Sequence, residues 1–141
     1  MLVAERGAVW QSSEASERLP KEPGAYCVQG EGESSAEFAS RVRQRLAYVD
    51  RSHPPLANLL ILGGEDREPA VWAARASMIQ AFVSTREGRG SSEVLLAPHP
   101  SDRHSMRAIA NSVCESVRGT GVDVRALDTV GSWNTAAMQP A

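Results

Sequence analysis

Three stretches of the chain bring carboxylate, imidazole and hydroxyl groups close together in sequence. In the first, Glu65 and Asp66 follow the pair Gly63-Gly64. Adjacent carboxylates can hold Mg²⁺ or move protons, but they are equally favourable at the positive end of a helix. The second stretch holds His99, Ser101, Asp102 and His104. Two imidazoles with an aspartate between them offer metal-ligand chemistry, yet their spacing is not a recognised zinc pattern, and Ser101 or Asp102 would also cap a helix. The third reads Gly30-Glu31-Gly32-Glu33-Ser34-Ser35. A dinucleotide fingerprint would need glycine where Ser35 stands, and Glu31 and Glu33 would meet a pyrophosphate with negative charge. The Gly-x-Ser-x-Gly elbow of a serine nucleophile is absent. Turn and capping roles account for all three stretches, so no catalytic residue and no metal site is assigned. Glu65, Asp66, His99, Ser101 and Asp102 remain as candidate ligand-binding residues, with the cofactor unknown.

The elements that would position these residues follow from periodicity. Residues 2–11 have a strand-like composition, with Gly7 as a bulge or turn, and residues 25–29 form a second short strand. Phe38, Val42, Leu46 and Val49 then recur at spacings of four, four and three, which predicts a helix stopped by Ser52 ahead of His53-Pro54-Pro55. Asn58-Leu59-Leu60-Ile61-Leu62 is a continuous apolar run, the pattern of a strand covered on both faces. Pro69 opens a second helix, whose apolar sector takes in Val71, Trp72, Ala76, Met78, Ile79, Phe82 and Val83. Residues 93–97 give another strand. A third helix carries Met106, Ile109, Ala110, Val113, Cys114 and Val117, and Gly119 and Gly121 end it before a last strand over 122–127.

One N-terminal strand followed by alternating strands and helices implies an α/β fold: a Rossmann-like three-layer sandwich with a mostly parallel sheet of four to five strands and about three helices. The expected domain covers residues 1–128, with 129–141 as a flexible or docking tail. In such sheets ligands bind beyond the carboxyl ends of the strands. The loops at 30–35, 63–68 and 98–102, which hold the candidate residues, occupy those ends.

Composition narrows the function classes. The 141 residues carry 15 basic and 17 acidic side chains, for a net charge of −2, so there is no electrostatic footprint for nucleic acid or an anionic membrane. Lys21 is the only lysine beside fourteen scattered arginines, as GC-rich coding favours. No stretch is apolar enough to span a bilayer. Cys27 and Cys114 cannot make a disulfide framework; both read as small buried thiols in a cytoplasmic protein.

The layout over residues 25–127 resembles the broad Rossmann-like group and, loosely, the universal stress proteins. That likeness would imply nucleotide binding through a glycine-rich loop after a strand. Here Gly88-Arg89-Gly90-Ser91-Ser92 precedes a strand instead. The expectation is therefore a non-catalytic domain that binds a partner or itself, as a homodimer paired through an N-terminal edge strand. The alternative is a small-molecule, nucleotide or metal-dependent protein using the loops at the strand ends.

Overall fold

Each apolar run of the chain becomes a parallel strand, and together they form a five-stranded sheet in the order β2-β1-β3-β4-β5. The strands are β1 (Leu2–Ala4), β2 (Tyr26–Val28), β3 (Asn58–Leu62), β4 (Ser92–Ala97) and β5 (Val122–Ala126). Among the described residues three helices join β2 through β5: α1 (Ser35–Ser52), α2 (Pro69–Arg86) and α3 (Arg103–Ser116). The computed structural model describes residues 1–8, 26–52, 58–86, 92–101 and 103–126. Expectations about residues 9–11 of the first strand, His53, Asp102, the stretch 88–91 and the 129–141 tail fall on residues outside the described ones.

The three described helices pack on one face of the sheet. Val3, Cys27, Leu59, Ile61, Val94, Leu96, Val122 and Val124 share a core with Phe38 and Val42 of α1, Met78, Ile79 and Phe82 of α2, and Met106, Ile109 and Val113 of α3. These sheet residues alternate with Leu2, Leu60, Leu62 and Leu95 on the opposite face, which are also buried. Burial on both faces is why the stretches 59–62 of β3 and 94–97 of β4 are continuously apolar.

Local chemistry sets the element ends. Ser34 Oγ accepts the Glu37 amide at 3.1 Å, capping α1. Gly119 and Gly121 adopt φ values of +85° and +83°, the left-handed backbone that glycine takes without a Cβ penalty, and the chain leaves α3 there.

Three expectations need correction. The N-terminal strand is not at an edge: β1 pairs with β2 on one side and β3 on the other. The chain returns from β1 to an outer position, so β2 and β5 become the edges, and the proposed pairing of N-terminal edge strands has no free edge to use. Trp72 is 38% exposed rather than part of the apolar sector; the inward face of α2 is completed by Arg75, which is 1% exposed. Cys114 is exposed as well, on the solvent side of α3, whereas Cys27 is buried. A helical stripe drawn through Val113 and Val117 does not extend to the residue between them.

Candidate functional site

The chain leaving β1 goes to one side of the sheet, towards β2, and the chain leaving β3 goes to the other, towards β4. Between their carboxyl ends lies the switch point, where a doubly wound sheet opens a crevice for ligands. Four loops reach this end of the sheet, after β1, β2, β3 and β4. Sequence reading had picked out the last three.

The first loop supplies the residue that fills the crevice. Glu5, immediately after β1, is buried, and its carboxylate takes a bidentate contact from Arg75 of α2. Arg75 Nε donates to Oε2 at 2.6 Å and Nη2 to Oε1 at 2.7 Å. The Gly64 amide donates to the same Oε1 at 2.9 Å. A carboxylate gripped by a guanidinium fork and a backbone amide is well matched to both donors. Arg75 Nη1 is buried with no hydrogen-bond partner among the described residues.

Gly64 makes this closure sterically feasible. A Cβ there would lie 2.1 Å from the Arg6 carbonyl oxygen, so only glycine lets the loops after β1 and β3 approach this closely. Among the described residues, a cavity of about 20 Å³ lies beside this pair, bordered by Glu5, Arg6, Gln29, Phe38, Asp66 and Met78. That is room for roughly one water molecule, against the several hundred Å³ of a ligand pocket.

Arg6 and Gln29 close the neighbouring loop. Arg6 Nη1 donates to the carbonyls of Gly30, Glu31 and Glu33 at 3.2, 2.6 and 3.1 Å. Gln29 accepts the Arg6 amide at 3.0 Å and donates to Glu33 O at 2.9 Å. Glu33 in turn pairs with Arg41 at 2.8 Å, and the Arg41 hydrogen bonds hold its carboxyl below the usual carboxylate range. The glycine-containing loop that superficially suggested phosphate binding is thus tied down through its own carbonyls. Its two acidic side chains belong to a clamped turn.

The remaining candidates divide between two places. Asp66 borders the small cavity, and its Oδ1 accepts the Glu68 amide at 3.1 Å, a local turn just ahead of α2. Glu65, His99 and Ser101 come together across the loops after β3 and β4. Ser101 Oγ lies 2.7 Å from His99 Nδ1, and the Ser101 amide donates to that nitrogen at 3.1 Å. His99 Nε2 lies 3.5 Å from Glu65 Oε1. Nδ1 thus faces the Ser101 amide and hydroxyl, and Nε2 is the nitrogen nearer Glu65. Arg67 donates to the Ser101 carbonyl and ties the two loops together. The imidazole is mostly covered, while the Glu65 side chain is 73% exposed and Ser101 is exposed. Among the described residues no group of three or more His, Cys, Asp or Glu side chains could hold a metal ion.

Comparison with protein-family models, curated proteins and solved structures finds no match. The chemistry of the site is therefore read from this chain's own residues. Glu5 and Arg75, its central pair, escaped sequence reading. They stand 70 positions apart, and neither belongs to a motif. One signal was available: an arginine at position 75 falls on the same helical face as Val71, Met78 and Ile79, and a charge on an apolar face needs a buried partner.

Proposed function

We propose that this protein is a non-catalytic α/β domain that acts by binding, to a second copy of itself or to a macromolecular partner. One observation carries the reading: among the described residues, the Glu5–Arg75 pair occupies the crevice where a doubly wound sheet would take its ligand, beside a cavity of about 20 Å³. A nucleotide or substrate entering there would have to displace a bidentate ion pair and separate two loops in backbone contact at Gly64. The near-neutral charge of −2 favours a protein partner over nucleic acid. Among the described residues no helix is long and apolar enough to cross a membrane. Two free thiols, Cys27 and Cys114, fit a cytoplasmic location.

A second reading has an observation of its own. The Ser101–His99–Glu65 chain has the order nucleophile, base and orienting carboxylate, which favours acyl transfer or small-molecule binding at the loops after β3 and β4. Ser101 and His99 are only two residues apart, and the Ser101 amide shares the same imidazole nitrogen, as expected of a turn lock before α3. One panel tests both readings: thermal melts with nucleotides and divalent metals, together with hydrolysis of p-nitrophenyl acetate. A ligand of the native state raises the melting temperature. The binding-domain reading expects no shift and no turnover above a Ser101→Ala control. A rise of several degrees, or ester hydrolysis lost in Ser101→Ala, would replace it with the second.

A further inference from the structure

We infer that Arg41 is a built-in block on strand addition: from α1 it occupies the outer edge of β2 and keeps the sheet from extending into a second chain. This goes beyond the binding-domain reading, because it names a surface that the binding does not use.

The edge it covers is a liability by composition. β2 reads Tyr26-Cys27-Val28, three residues suited to a strand and none of them charged. Its backbone is polarised by its neighbour β1. The Gln29 amide donates to Ala4 O at 2.9 Å, so the amides and carbonyls of Cys27 and Gln29 point towards β1. Those of Tyr26 and Val28 point away from the sheet, because successive residues of a strand alternate. An uncharged edge with outward amides and carbonyls is a template for pairing with another chain.

Arg41 stands in the path of such a chain. Its Nη2 donates to Val28 O from the outer side at 2.7 Å. Two hydrogen bonds to Glu33 hold the guanidinium there, Nε to Oε2 at 2.9 Å and Nη2 to Oε1 at 2.8 Å, and its Cζ lies 5.3 Å from the centre of the Phe38 ring. A strand docking on Val28 would have to take the carbonyl from a charge-assisted donor. It would also cover a guanidinium that is now 44% exposed, at a cost in lost hydration. Arg45, one turn further along α1, bears on the Cys27 thiol and adds a second positive charge beside the same strand.

The opposite edge reaches the same result by another route. In β5 the exposed residues are Asp123 and Arg125, and Arg125 Nε donates to Glu93 of β4 at 2.6 Å. Charges within an edge strand discourage pairing. β2 has none of its own and takes its charge from the neighbouring helix.

Sedimentation velocity from low micromolar to millimolar concentration, well below the melting temperature, tests this. Arg41→Ala should form species heavier than the 15.1 kDa monomer at concentrations at least about tenfold below any at which the wild type does. Arg41→Gln, which drops the charge but keeps a polar side chain on the helix, should behave in the same way. Adding Val28→Pro to either removes an outward amide that β1 does not use, a substitution an edge strand accepts, and should restore wild-type behaviour. That reversal separates an uncovered edge from a mere loss of stability. Arg41 variants as monomeric as the wild type overturn the inference, and so does association that Val28→Pro leaves intact. A wild-type dimer lost in Val28→Pro would also overturn it, because β2 would then pair with Arg41 in place. None of these results touches the binding-domain reading, which stands or falls on the ligand panel.

Discussion

Replacing Arg75 with methionine perturbs the centre of this fold. The guanidinium makes two hydrogen bonds to Glu5, at 2.6 and 2.7 Å, with side-chain exposures of 1% and 7%. Methionine fills much the same volume but takes the guanidinium, with both of its hydrogen bonds, away from the buried Glu5 carboxylate. Breaking a buried pair by removing one partner costs about 3–5 kcal/mol, because the remaining charge is neither solvated nor neutralised. With a urea m-value of about 2 kcal/mol/M for a chain of this size, the midpoint should fall by about 1.5–2.5 M. The double variant Glu5→Leu/Arg75→Met removes both charges together, and replacing a buried pair by apolar groups is commonly neutral or stabilising. It should therefore be more stable than Arg75→Met by at least about 2 kcal/mol. Urea unfolding of wild type, both single variants and the double variant measures all of this in one cycle. Arg75→Met within about 1 kcal/mol of wild type would refute the argument, as would a double variant no better than the worse single one.

Two further predictions concern single side chains. Burial pushes the Cys27 thiol above its ordinary pKa, while Cys114 is exposed, so a native-state alkylating reagent should label Cys114 promptly and reach Cys27 only after denaturation; equal rates at both would contradict the placement of α3 or β2. Glu33, whose carboxyl is held low by Arg41, contributes stability that is present above the unfolded carboxylate value of about 4.3 and is lost as pH falls through the lower folded value. The pair lies at the surface, with Arg41 44% exposed, so Glu33→Gln should cost no more than about 0.5 kcal/mol near neutral pH, and the gap between the two proteins should close in acid.

Much of the fold was legible because period and burial agree. Phe38, Val42 and Leu46 keep helical spacing and face the core, and the apolar runs of β3 and β4 are buried on both sides. Strand order was not legible, since parallel pairing leaves no local mark: nothing in residues 2–4 distinguishes an inner strand from an edge. Trp72 and Cys114 were misplaced for a related reason. An apolar residue at the margin of a helical sector satisfies the pattern whether or not the neighbouring element reaches it. In the candidate site, Glu65, His99 and Ser101 do converge, because loops at the same ends of adjacent parallel strands are neighbours by construction. Glu5 and Arg75 depend instead on β1 lying beside β3, so their contact could be found only once strand order was known.

That dependence connects the architecture to what the domain can do. A switch point forms wherever the winding reverses, and it is where an open α/β sheet takes its ligand. Here the closure is built from three features that function only together. Gly64 lets the β1 and β3 loops meet, Glu5 places a carboxylate in the gap, and Arg75 carries the matching charge across from α2. Arg6, two residues after β1, and Gln29, just after β2, then bind the carbonyls of the 30–33 loop, so the two loops flanking the gap are held by side chains from near the strand ends. The polar groups that a binding crevice would direct at a ligand are directed at one another. Beside this closure, on the adjacent loops, the Ser101–His99–Glu65 chain is the group of polar side chains that faces solvent through Ser101 and Glu65.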